Sequence, residues 1–181
     1  MEPREALPGF VAIDFETANR SPRSAVALAV VRVVGGEVAR EFSALIKPPT
    51  RSFSMSGIHG IRPEDVSGAS GFAEVWRGAQ EVVRGARFFA AHHAAFDQGV
   101  MAACCGDVGT SAPRMRWLCT VALARAVWGV FPTTLPDVCR RLGIGLRRHH
   151  DALEDARACA GIVAAAWQTE VGRGWIRRVA G

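Results

Sequence analysis

The chain has 181 residues, of which 49% are hydrophobic and 22% charged, and a formal net charge of +5. That length suits one domain with a sizeable core, and the composition is that of a globular protein, not a disordered or fibrous one. No apolar stretch approaches the roughly 20 residues of a membrane span, and Met1-Glu-Pro-Arg-Glu5 lacks the apolar core of a secretory signal, so no membrane role and a cytoplasmic location are expected.

Phe10 to Ile13 is an apolar run that reads as a buried strand, continuing into Asp14-Phe15-Glu16-Thr17. Alternation along a strand puts Asp14 and Glu16 on one face and Ile13 and Phe15 on the other. Two like charges about 6 Å apart repel by roughly 2–3 kcal/mol at an effective dielectric near 20. A cation between them relieves that repulsion, and an oxygen-only donor set suits magnesium or manganese. A frayed strand end with two solvated acids is the alternative.

Ala25 to Val34 is a Val-rich run expected as a central strand, with Gly35-Gly36 as a tight turn and Glu37 to Ile46 as its hairpin partner. Ser52 to Ser70 reads as irregular. Helical spacing covers Phe72 to Arg84, with Phe72, Val75, Trp76, Val82 and Val83 as its apolar face. Arg87 to Ala91 is a fourth strand, which runs through His92-His93 into a helix from Phe96-Asp97 to about Cys105. Trp117 to Cys119 is a last strand, and helices follow near Thr120–Trp128, Leu135–Leu142 and Ala152–Trp167. This order predicts a single α/β layered domain with a mixed five-stranded sheet.

Five cysteines without a C-x-x-C pair argue for reduced thiols. The pairs His92-His93 and His149-His150 do not have zinc spacing, because adjacent residues rarely chelate one metal. Nearly all of the positive charge is arginine, and Arg140, Arg141, Arg147 and Arg148 crowd the approach to His149-His150. Those four read either as a solvated surface or as a phosphate-binding rim.

Two further acids stand at strand or helix ends. Asp97 follows the fourth strand, where open α/β sheets gather ligand-binding groups, although a plain helix-start acid reads equally well. Asp151 with Glu154 resembles a capping box, which places His150 at N′ and Asp155 at N4, the two positions that touch in a staple. On that geometry His150 faces Asp155 and His149 points away.

In this order and spacing, the segments resemble the three motifs of the DEDDh 3′→5′ exonucleases, the group containing the polymerase III epsilon proofreading subunit, RNase T and oligoribonuclease. Ala12-Ile-Asp-Phe-Glu-Thr17 resembles the first motif, His92 to Asp97 the second and His150 to Asp155 the third. Ile58-His59-Gly60-Ile61 resembles the segment lining the terminal nucleotide. The resemblance covers roughly Phe10 to Trp167 and implies an RNase H-like fold, with 1–9 as an extension, 10–170 as the exonuclease domain and 171–181 as a tail. It implies two Mg²⁺ or Mn²⁺ ions about 3.5–4 Å apart, held by Asp14, Glu16, Asp97 and Asp155. His150 would be the general base, and Phe15, Thr17, Ile58, His59 and Phe96 would bind the substrate, a nucleic acid with a free 3′ end, preferably single-stranded. The product would be nucleoside monophosphates.

The second motif departs from the family in having His93 where Asn is usual. No clamp-binding segment is recognisable, so polymerase association is not indicated and a stand-alone, epsilon-like DNA exonuclease is expected. The alternatives are an exoribonuclease and an inactive nucleic-acid-binding or polymerase-accessory subunit.

Overall fold

The computed structural model describes residues 5–181, so the first four residues of the expected N-terminal extension lie outside it. The sheet is built from β1 (Phe10–Thr17), β2 (Ala25–Val34), β3 (Glu37–Leu45), β4 (Phe88–Ala91) and β5 (Arg116–Cys119), in the order β3-β2-β1-β4-β5. β1, β2 and β3 pair antiparallel, whereas β4 and β5 join parallel to β1. This is the expected mixed five-stranded sheet. Gly35 and Gly36 both take positive φ at the β2–β3 turn, as a two-residue hairpin turn requires.

The helices are α1 (Ser56–His59), α2 (Phe72–Val83), α3 (Ala94–Asp107), α4 (Thr120–Trp128), α5 (Leu135–Leu142), α6 (Ala152–Trp167) and α7 (Glu170–Ala180). Strand alternation divides the core into two layers. Val11, Ile13, Phe15, Leu28, Val30 and Phe89 pack under α2 and α3. Phe10, Ala12, Ala27, Ala29, Phe88, Ala90 and Leu118 pack under α4, α5 and α6. Asp14 and Glu16 continue the period of Phe10 and Ala12, so they face the α6 layer.

Small residues let α6 approach that face closely. The sheet contributes Ala27, Ala29 and Ala90, and the helix contributes Ala156, Cys159 and Ala160, all buried. The α6 N-terminus therefore reaches the end of β1. Asp151 caps it, its Oδ1 accepting from the N–H groups of Leu153 and Glu154, both at 3.2 Å. The reciprocal half of a capping box is missing: Glu154 instead accepts from Arg147 N–H and Arg157.

Residues 171–181, expected as a tail, are instead most of α7. Its pattern is amphipathic, with Ile176 fully buried in the α6 layer. Thr169 caps it by accepting from the Gly172 N–H at 3.0 Å. The α6–α7 corner is tight: a Cβ on Gly172 would lie 2.0 Å from the Ala166 carbonyl oxygen, whereas one on Gly174 would meet nothing nearer than an Arg178 side-chain nitrogen at 3.9 Å. Gly172→Ala should therefore cost roughly 2–4 kcal/mol, the size of a forced backbone clash. Gly174→Ala should be neutral or stabilise by up to about 1 kcal/mol, as a helix-interior glycine replacement does. Denaturant unfolding of the two variants checks this.

Candidate active site

Four carboxylates meet where β1 ends, β4 turns into α3 and α6 begins. One carboxylate oxygen each from Asp14, Glu16 and Asp155 lies within 4.8 Å of the others. At that separation each charged pair repels by about 3.5 kcal/mol at an effective dielectric near 20. Asp97 stands apart from that trio, with its Oδ1 accepting the Phe15 N–H at 3.0 Å. Glu16, Asp97 and Asp155 are all buried.

Desolvation and mutual repulsion push these groups in one direction. Burial first, and then Asp97, Glu16 and Asp155, hold Asp14 well above the usual carboxylate range. Glu16 is pushed up to about 8 by burial and then by Asp155, Asp97 and Asp151. Burial also raises Asp97 and Asp155, opposed respectively by the N–H groups of Phe15 and His150. Asp97 Oδ2 and Asp155 Oδ1 are buried without any hydrogen-bond partner. Buried polar atoms are normally satisfied, so two orphaned oxygens beside crowded acids fit a hard divalent cation.

The third motif differs from the staple expected of it. His150 is in the left-handed region, φ 69°, which turns its backbone N–H onto Asp155 Oδ2 at 3.0 Å. Its ring swings instead toward Glu16, with Nδ1 3.8 Å from Oε1. His149, expected to point away, places Nδ1 2.9 Å from the same Asp155 oxygen. The two rings stack with centroids 3.8 Å apart. Adjacent side chains normally diverge, and the left-handed conformation of His150 is what brings these two onto one side.

A cleft of about 610 Å³ opens over the acids. It collects Phe15, Thr17, Ile58, His59 and Phe96, the five residues expected to bind substrate, together with Met55, His92, His93, Thr134, Leu135 and His149. Ile58 and Phe96 are half exposed. His59 has both ring nitrogens engaged: Nδ1 accepts from the Ile61 N–H and Nε2 donates to the Thr17 carbonyl, each at 3.0 Å. It therefore pins α1 to β1 and offers the cleft only its ring.

His92 is held in a similar way. A carbonyl can only accept, so Nε2 donates to Thr133 O at 3.0 Å, and Nδ1 accepts from the Thr120 hydroxyl at 2.9 Å. Burial lowers its pKa to about 4, and it stays neutral at pH 7. The cue in the sequence was Thr134-Leu-Pro136, a helix-start signature that sets the cleft's far wall at α5.

An α/β domain with helices on both faces of its sheet and crowded acids at the carboxyl ends of its strands has the build of a nuclease. The RNase_T family, described as Exonuclease, matches residues 11–163, and the chain belongs to it. DNA polymerase III PolC-type of Thermotoga maritima is 30% identical over 154 residues, covering 83% of this chain but 11% of that protein. The protein of the same name from Clostridium perfringens is also 30% identical, over 85% of this chain. The chain thus spans about a tenth of those relatives. Among solved structures, Exonuclease X in complex with 5′ overhanging duplex DNA superposes with a TM-score of 0.75 at 23% identity, covering 95% of this chain and 99% of that one. The nuclease domain of 3′hExo, a DEDDh member bound to rAMP, gives 0.78 at 18%, covering 92% and 94%. These likenesses show the RNase H-like exonuclease fold.

The raised carboxyls make stability depend on pH. Between about pH 4.5 and about 8, the folded protein keeps a proton on Glu16 that the unfolded chain releases. That contribution is complete below the unfolded pKa and is lost as pH rises through the folded one. In chelator, the melting temperature should fall by several degrees from pH 5 to pH 8, and Glu16→Gln should flatten that slope. Mg²⁺ should raise the melting temperature more at pH 8 than at pH 5.

His93 begins α3 in the left-handed region, φ 66°, with no side-chain cap bond. Asn tolerates that conformation well. His93→Asn should keep stability equal or up to about 1 kcal/mol higher and keep activity equal or higher. A loss beyond about tenfold, roughly 1.4 kcal/mol of barrier, would give the imidazole a role of its own.

Proposed function

We propose that this domain hydrolyses nucleic acid from its 3′ end and releases nucleoside monophosphates. The observation that carries this reading is the trio Asp14, Glu16 and Asp155 lining a cleft large enough for a terminal nucleotide, with the buried Asp97 close enough to repel it and two carboxylate oxygens, Asp97 Oδ2 and Asp155 Oδ1, left without a hydrogen-bond partner. Asp14, Glu16, Asp97 and Asp155 would hold two divalent cations, Mg²⁺ or Mn²⁺. When bound, such ions stabilise charge developing on the scissile phosphate and the leaving 3′-oxygen.

His150 is the general base in this reading. It is partly exposed in the cleft, and burial and then the neighbouring His149 lower its pKa. It is therefore neutral near pH 7 and able to take a proton from the attacking water. His149 and the His150 N–H share one Asp155 oxygen, and they orient that carboxylate while its other oxygen stays free. Ile58 and Phe96 offer apolar surface to the terminal base, and Phe15, Thr17 and His59 shape the cleft floor. The exposed Arg141 and Arg147 would contact the phosphate backbone.

DNA is the favoured substrate, because the PolC-type relatives are DNA polymerases. RNA is the second reading, supported by the superposition on the nuclease domain of 3′hExo bound to rAMP. Incubation of 3′-labelled and 5′-labelled DNA and RNA oligonucleotides, with and without Mg²⁺, separates these. A ladder shrinking from the 3′ end only with metal, and slowed by a 3′-phosphate, supports the reading; efficient cutting of circular single strands contradicts it. Asp14→Asn and Asp155→Asn should abolish hydrolysis while leaving the fold intact, because each relieves carboxylate repulsion.

His150→Ala should lower kcat by about 10²–10⁴-fold, the usual size of a lost general base, and remove from the pH–rate profile the inflection that its lowered pKa puts on the acid side of neutrality. His149→Ala should cost less and leave the inflection. The reverse order would move the base assignment to His149.

A further inference from the structure

Between α4 and α5 the chain places one aromatic side chain almost entirely in solvent. Phe131 is 84% exposed, more than any other large apolar residue among those described, although Val130 and Thr133 on either side are buried. Leaving a phenyl ring in water forgoes roughly 1.5–3 kcal/mol of burial. The exposure is imposed by a well-anchored loop. Thr133 O accepts from His92 Nε2 at 3.0 Å, and Thr133 Oγ1 accepts from Arg125 Nε and donates to Val130 O, both at 2.8 Å. Thr134 then caps α5 through the Asp137 N–H.

Those anchors also tie the loop to the cleft. His92, Thr134 and Leu135 all line it. Three Cα steps separate Phe131 from Thr134, at most about 11 Å. A stacked strand rises about 3.4 Å per nucleotide, so this reach spans at most about three nucleotides beyond the cleft wall at Thr134. On α5, the helix that starts at the cleft wall, Arg141 is exposed and has no ion-pair partner among the described residues.

We propose that Phe131 is a stacking platform for a base upstream of the scissile nucleotide, and that it sets how the domain grips a single-stranded 3′ tail. The proposal rests on the nuclease reading above. An aromatic face suits this role because every base has a π-face and stacking is tolerant of sequence. The anchored loop presents the ring ready-made, so little ordering entropy is lost on binding.

The test is binding without turnover. Oligonucleotides of two to six nucleotides are titrated in chelator, with 2-aminopurine placed in turn at the second, third and fourth positions from the 3′ end. The wild-type protein should quench one of these positions. Phe131→Ala should abolish that quench alone and weaken binding about 5- to 150-fold for strands long enough to reach the quenched position, with no change for shorter ones. Phe131→Trp should restore both. Equal weakening at every length would overturn the platform in favour of a structural role. Unchanged binding at every length would overturn it too, leaving the ring as a contact for a partner protein. Loss of 3′-end hydrolysis is read separately: a wild-type protein that binds and quenches but cuts nothing sinks the nuclease reading, whereas one that cuts without a Phe131-dependent quench sinks only the platform.

Discussion

Repulsion among four desolvated carboxylates is the constraint around which this domain is arranged. Asp14 and Glu16 face α6 because they continue the alternation of Phe10 and Ala12. They can meet Asp155 only because the layer between is lined with Ala27, Ala29, Ala156 and Cys159 instead of larger residues. The compensating groups are few: the Phe15 and His150 N–H groups, the His149 ring and the positive end of α6. None reaches Asp97 Oδ2 or Asp155 Oδ1. A fold stabilised by its own contacts alone would not assemble this cluster; one that binds divalent cations has a reason to.

Backbone conformation is specialised at the same place. Among the described residues, His93 and His150 are the non-glycine positions with positive φ, and both border the cleft. His150 in this conformation does two jobs, with its N–H steadying Asp155 and its ring facing Glu16. Strain of this kind, of order 1–3 kcal/mol per residue, is held in place by surrounding structure and tends to gather at functional sites. Neutral His92 and doubly bonded His59 supply that surrounding structure, as each ties a loop to the floor of the cleft.

The sheet and most helices were readable because strand alternation and helix caps are local signals. β1, β2 and the α6 cap at Asp151 follow from spacing within a few residues. The positions of Asp14, Glu16, Asp97 and Asp155 were readable through motif order. What escaped depends on contacts or torsions that spacing does not encode. Position in a capping box does not encode the left-handed backbone of His150, which makes His149 the imidazole that meets Asp155. Two glycines and three arginines mask the amphipathic period of α7, although Ile176 is fully buried. The second role of His59, tying α1 to β1 through Thr17 and Ile61, is not legible in the sequence because those bonds form only on folding.

If the crowded acids hold protons that cations must displace, metal binding and proton release are one event. Calorimetric titration of Mn²⁺ into the chelator-treated protein at pH 7, repeated in buffers of different ionisation enthalpy, measures that release directly. Glu16, pushed up to about 8, is mostly protonated at this pH. The slope of heat against buffer enthalpy should therefore report roughly one proton or more released per protein, and Glu16→Gln should reduce it. Tight binding with heats independent of the buffer would show that the carboxylates were already ionised and would contradict the account.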